Sequence, residues 1–112
     1  MMYTVTVRSQ AKVRKERYGD LAEALAALES TGRELADDAD GQAAGGRLIR
    51  KIEPVQRVVA RIELSGPGKL RAGVDVRGDG SNEAFTGRVK RRLVEQRRGE
   101  SAYQALRRTL TP

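Results

Sequence analysis

Two segments in the middle of the chain alternate between apolar and polar residues. The apolar positions are Val58, Ala60, Ile62 and Leu64 in the first segment and Leu70, Ala72, Val74 and Val76 in the second, and Val59 is the one exception to the alternation. A period of two places successive side chains on opposite faces of a strand. The pattern therefore predicts two strands, each with an apolar inner face and a polar outer face that carries several arginines.

Turn-forming residues bound both of these segments. Ser65-Gly66-Pro67-Gly68 separates them, and Gly78-Asp79-Gly80-Ser81-Asn82 follows the second. Asp-Gly pairs favour the tight turns that join hairpin strands. A third strand, from Glu83 to Lys90 with Phe85 and Val89 on one face, would complete an antiparallel meander between Gln56 and Lys90. Such a sheet can pack one face inward and leave the other in water.

The flanking regions add further strands. Tyr3 to Arg8 alternates and is rich in β-branched residues, and Lys12 to Tyr18 is a weaker candidate in which only Val13 and Tyr18 are apolar. These two segments predict an N-terminal hairpin. Arg47 to Glu53, closed by Pro54, indicates another short strand.

Two helices are predicted from apolar spacing and capping residues. Asp20 can cap a helix that carries Leu21, Leu25 and Leu28 on one face. Gly32 either ends this helix or is tolerated within it, and we favour a helix from 21 to about 37. The Asp- and Gly-rich segment 37–46 is expected to be a loop. Ser101 and Gln104 match a capping box before a short C-terminal helix whose apolar residues are Tyr103, Leu106 and Leu110.

Together these elements predict one α+β domain over residues 1–112, in the order β-β-α-β-β-β-β-α. We expect an antiparallel sheet of about five to six strands with both helices packed on one face. Only 38% of the residues are hydrophobic and four are aromatic. Because so small an apolar fraction limits the core, a homodimer that buries further area is a plausible hypothesis.

The chain has no cysteine and no histidine. These absences exclude disulfides, thiol catalysis, imidazole acid–base chemistry and zinc sites of the Cys/His type. We therefore expect no catalytic, cofactor-binding or metal-binding residues, and a protein that is not an enzyme. The N-terminal residues lack the apolar run of a signal peptide, and no stretch is long and apolar enough to cross a bilayer. The expected location is cytoplasmic, with no membrane partner.

Positive charge is concentrated towards the C-terminus. The formal net charge is +7, and residues 88–108 hold eight basic residues against two acidic ones. A basic segment of this kind attracts phosphate backbones. The candidate nucleic-acid-binding residues are Arg88, Lys90, Arg91, Arg92, Arg97 and Arg98. A solvated surface explains the same charges, and so does a contact with the acidic segment 20–40 of a second copy.

Three hypotheses for the function follow in order of preference. The first is a non-enzymatic interaction module that self-associates, and the second is a nucleic-acid-binding domain that uses the 88–98 segment. The third is a small-molecule-binding or enzymatic role in a pocket between the sheet and the helices. The carboxylates of Asp75, Asp79 and Glu83 lie near one hairpin tip, where solvated turn residues are favoured over a catalytic pair. The polar outer face of the meander, with its arginines, is where we expect function to lie.

Overall fold

A computed structural model of the chain describes residues 2–9, 12–44, 57–87 and 90–111. It contains six strands and two helices: β1 (Tyr3–Ser9), β2 (Lys12–Tyr18), α1 (Leu21–Ala44), β3 (Val58–Gly66), β4 (Leu70–Arg77), β5 (Asn82–Thr86), β6 (Arg92–Leu93) and α2 (Ala102–Leu110). The strands form one antiparallel sheet in the order β2-β1-β3-β4-β5-β6. The predicted α+β class and element order are confirmed.

The core lies between one face of this sheet and the two helices. Helix α1 packs on β1 to β4, and α2 packs on β4 and β5. The core contains the alternating side chains that the sequence predicted, among them Ile62, Leu64, Val74 and Val76, all fully buried. Leu25, Leu28 and Leu106 meet them from the helices. Both helices therefore cover the same sheet face, and the opposite face carries the polar positions of the alternation.

Helix α2 begins as the sequence predicts. The Ser101 side chain accepts a hydrogen bond from the Gln104 backbone N–H at 3.1 Å, and the Gln104 side chain accepts one from the Ser101 N–H at 2.8 Å. Two otherwise unpaired amides of the first turn are satisfied in this way. The Tyr103 hydroxyl donates to Asn82 Oδ1 at 3.1 Å, which ties α2 to β5.

Helix α1 is longer than predicted. It starts at the predicted cap, where Asp20 Oδ1 accepts from the Glu23 N–H at 2.7 Å, and it passes through Gly32, which lies against the Tyr103 side chain. It continues to Ala44, so the predicted loop is wrong for residues 37–44. Aspartate is a weak helix former that does not forbid a helix, and Ala39, Ala43 and Ala44 in the same segment are strong helix formers. The remainder of that loop, 45–46, lies outside the described residues.

Two further details of the meander differ from the prediction. A register shift between Val58 and Ala60 turns Val58 away from the core, so that Val58 is exposed and Val59 packs against the core instead. Such a bulge reverses the alternation at a strand end. The sixth strand is Arg92–Leu93, which the sequence did not indicate. The predicted strand at 47–53 and the predicted position of Val89 lie outside the described residues.

Candidate binding face

The sheet face opposite the helices is the candidate site, and we call it the open face because no described helix packs on it. Strand register places the odd-numbered residues of β2, β3 and β4 here beside the even-numbered residues of β1. The charged side chains of the open face are Arg8, Lys15, Arg17, Arg61, Glu63, Arg71, Asp75, Arg77 and Glu83, and Arg91 reaches it from the segment before β6. Seven are basic and three are acidic.

One row across the open face contains cations and hydroxyl groups without a carboxylate. The register aligns Arg17 with Thr4, Thr4 with Ser65 and Ser65 with Arg71, across β2, β1, β3 and β4. Lys15 and Thr6 occupy the adjoining positions of β2 and β1. We call the group Thr4, Thr6, Lys15, Arg17, Ser65 and Arg71 the basic corner. Cationic side chains and hydroxyl donors together are the groups that proteins use to contact phosphates.

The cations of the basic corner are not neutralised within the described residues. Lys15 and Arg17 are exposed and form no ion pair there, and Arg71 donates from NH1 to the Leu70 carbonyl oxygen at 2.8 Å. Three positive charges of the basic corner are therefore exposed to solvent. An arrangement of this kind attracts anions over a distance of about one Debye length.

The other end of the open face is ion-paired. Arg61 Nε lies 2.5 Å from Asp75 Oδ1 on the neighbouring strand, and Arg77 NH2 lies 2.6 Å from Glu83 Oε1. The hydrogen bond that Arg61 donates to Asp75 is the main cause that raises the pKa of Arg61. Asp79 accepts hydrogen bonds from the backbone and hydroxyl of Ser81. Asp75 and Glu83 are register partners on β4 and β5, and the three carboxylates at this end are held by different groups, Arg61, Arg77 and Ser81.

A shallow depression lies between the basic corner and the ion-paired end. Its volume is about 300 Å³, and its lining includes Thr6, Arg8, Lys15, Glu63, Ser65, Arg71 and Phe85. Among the described residues that line the depression, Glu63 is the only carboxylate. Its Oε1 atom lies 2.6 Å from Arg8 Nε, and its Oε2 atom lies 3.8 Å from Arg91 NH2. The depression thus has a cationic rim with one acidic group inside it.

Phe85 forms one wall of the depression and was not identified as a site residue from the sequence. Its ring lies over Gly73 of the neighbouring strand, where the absence of a side chain leaves room for it. The guanidinium carbons of Arg91 and Arg61 lie 4.7 Å and 5.7 Å from the ring centroid. Attraction between these cations and the ring holds the two arginines on the open face. A hydrophobic residue at a polar-face position, opposite a strand glycine, is the signal that identifies this arrangement.

The sequence-predicted nucleic-acid-binding residues do not form one surface in the described part of the chain. Arg91 lies on the open face, whereas Arg92 pairs with Thr86 on the opposite face of the sheet. Arg97 and Arg98 lie in the connection before α2, where the Glu100 carboxylate accepts hydrogen bonds from the Arg108 side chain and from the Arg97 backbone N–H. These contacts lower the pKa of Glu100 to about 2. Lys90 is exposed, and Arg88 lies outside the described residues.

The two sides of the molecule differ in charge. Helix α1 carries exposed acidic residues on the far side of the sheet from the basic corner, namely Glu23, Glu34, Asp37 and Asp38. Exposed basic residues lie on that side as well, among them Lys12, Arg14 and Arg33, whereas the basic side chains of the open face outnumber its acidic ones by seven to three. The electrostatics therefore favour approach of a polyanion to the open face.

No family model, curated protein or solved structure matches this chain. Within the described residues, no helix has the length and apolar character needed to cross a membrane. The geometry and charge of the open face are therefore the basis for a functional proposal.

Proposed function

We propose that this protein is a non-enzymatic binding module that holds single-stranded nucleic acid against the open face of its sheet. The observation that carries the proposal is the basic corner, in which Arg17 and Arg71 share with Thr4 and Ser65 a row of described residues that contains no carboxylate. Lys15 and Thr6 adjoin this row on β2 and β1. Contacts from cations and hydroxyls to phosphates position a nucleic acid without reading its sequence. We expect sequence-tolerant binding that weakens steeply with salt.

The dimensions of the sheet favour a single strand over a duplex. Six strands at the usual spacing span about 24 Å, since neighbouring strands lie about 4.8 Å apart. The major groove of B-DNA is about 12 Å wide and admits a helix or a two-stranded ribbon. The open face would therefore meet a duplex only at its outermost phosphates, whereas a single strand can lie across several β-strands. This proposal moves the expected nucleic-acid site from the 88–98 segment to the open face and keeps Arg91 in it.

Strand β2 offers a matched test, because its basic residues alternate between the two faces. Lys15 and Arg17 lie on the open face, while Lys12 and Arg14 lie on the other. We expect K15Q/R17Q to weaken binding of a single-stranded homopolymer by about tenfold and to reduce the salt slope by about 1.4, since each phosphate contact contributes about 0.7 for a single strand. K12Q/R14Q removes the same charge from the same strand and should change affinity by less than about twofold.

Fluorescence anisotropy at several salt concentrations measures both the affinity for the homopolymer and its salt slope. Equal losses of affinity in the two double variants would show that net charge alone governs binding. The open face would then not be the binding site. A duplex of the same length that binds as tightly as the single strand would contradict the choice of ligand. No binding at low salt would end the proposal.

Self-association, the first hypothesis from the sequence, stays a prediction with weaker geometric support. Two open faces packed together would bring like charges into contact, which is costly. Packing the acidic helix of one copy on the basic corner of another is complementary but heterologous, and such contacts close only into rings or extend into filaments. The exposed edge strand β2 carries four basic residues, which discourage edge-to-edge pairing. A cytoplasmic location, expected from the sequence, is consistent with either role.

A further inference from the structure

The depression of the open face is already occupied by an anionic group of the protein itself. Glu63 lies at the centre of a register row that runs from Lys15 through Thr6, Glu63 and Gly73 to Phe85. Its two carboxylate oxygens are directed to cations from different elements, Arg8 on β1 and Arg91 before β6. A carboxylate and a phosphate offer similar charged oxygen acceptors to a guanidinium.

We propose that the depression is a phosphate-binding subsite in which the Glu63 carboxylate competes with the ligand. A phosphate that enters the depression replaces Glu63 as the hydrogen-bond acceptor of Arg8 and as the ion-pair partner of Arg91, and Glu63 rotates away into water. The inference deepens the proposed function and rests on it, because it assigns one phosphate of the bound strand to this subsite. A free phosphate ion has the same chemistry, so the two sources need separate measurements.

The surroundings of Glu63 allow this exchange. Its side chain is 32% exposed and that of Arg8 is 53% exposed, so neither group loses all contact with water when the pair opens. Lys15 and Arg71 also line the depression and add positive charge without competing carboxylates. Arg91 remains anchored by the Phe85 ring when Glu63 departs, since its guanidinium lies over that ring. The cations thus stay in place while the acidic group leaves.

Glu63→Gln removes the competing charge and keeps the shape of the side chain. We expect E63Q to bind both inorganic phosphate and a single-stranded homopolymer about fivefold more tightly, which is the upper range for the cost of breaking a partly exposed ion pair. Glu83→Gln is the matched control, because Glu83 is a similarly exposed, ion-paired acid of the same face that does not line the depression. Its effect on affinity should stay below about twofold.

Two measurements decide the outcome. Titrations give the affinities of the wild type, E63Q and E83Q for each probe, and the NMR signals of the Arg8 and Arg91 Nε–H groups report where phosphate binds. Tighter binding by E63Q alone, with shifts at both arginines, supports the subsite. Equally tighter binding by E63Q and E83Q would mean that net charge alone causes the effect, and it would overturn the subsite. Unchanged or weaker binding by E63Q would overturn the subsite as well.

The subsite and the proposed function can fail separately. Binding of the homopolymer that depends on Lys15 and Arg17 but not on Glu63 would remove the subsite and leave the function. Phosphate binding that E63Q strengthens, without homopolymer binding by any variant, would leave the subsite and remove the function. Absence of binding by both the wild type and E63Q for both probes would overturn both.

Discussion

Gly73→Ala is expected to lower the free energy of unfolding by about 3 kcal/mol, at the upper end of the range for overpacking a well-packed site. A Cβ atom at this position would contact the Ile62 carbonyl oxygen and approach Phe85 Cζ to 2.7 Å. The carbonyl belongs to the neighbouring strand and cannot move without disturbing the ladder, so the Phe85 ring must shift. Its contacts with Arg61 and Arg91 would be disturbed at the same time.

Urea denaturation of the variant measures this loss. Gly19→Ala is the matched control, because a Cβ atom there meets nothing within 4 Å. We expect Gly19→Ala to leave stability within about 0.5 kcal/mol of the wild type, in the range of surface substitutions. Similar stabilities for the two alanine variants would mean that Phe85 does not pack on Gly73 as described. The placement of Phe85 as a wall of the depression would then be wrong.

Leu106→Ala is expected to cost about 3 kcal/mol of stability, in the middle of the range for truncating a buried leucine. Leu106 is fully buried in the core that α2 shares with the sheet. The substitution removes three carbon atoms of the side chain, which loses apolar burial and leaves a cavity between α2 and the sheet. Because α2 also holds Tyr103 against Asn82 of β5, its loosening reaches the strand that carries Phe85.

Leu93→Ala gives the control for this substitution. Leu93 lies on the short edge strand β6 and is 64% exposed, so its truncation removes little burial. We expect its midpoint of thermal unfolding to stay close to that of the wild type. The midpoint of Leu106→Ala should fall by about 12 °C or more, since about 1 kcal/mol corresponds to about 4–8 °C in a small domain. Equal shifts would show that the core assignment of α2 is incorrect.

Local patterns in the sequence were sufficient for most of the fold. Alternation located β1, β3 and β4, because a half-buried strand needs one apolar face. Ser101 and Gln104 located the start of α2. Two local rules failed. The bulge at Val58 depends on pairing with Arg77, which a single strand does not reveal, and the end of α1 was misjudged because aspartate and glycine favour loops without forbidding a helix.

The candidate site was only partly predictable. The outer face of the meander was expected to carry function, but the basic corner joins Arg17, Thr4, Ser65 and Arg71, which are distant in sequence. Strand order and register are needed to bring them together. The charge run at 88–98 misled in the opposite way, because neighbours such as Arg91 and Arg92 lie on different faces of the sheet.

The most direct test of the open face uses the absence of cysteine, since a single introduced thiol is unique in this chain. A short photocrosslinker is attached to Val13→Cys, on the open face of β2, or to Ala26→Cys, on the exposed side of α1. Neither substitution changes the charge. With a single-stranded homopolymer at low salt, we expect covalent adducts from position 13 and few from position 26. Adducts from position 26, or equal yields from both, would contradict binding at the open face.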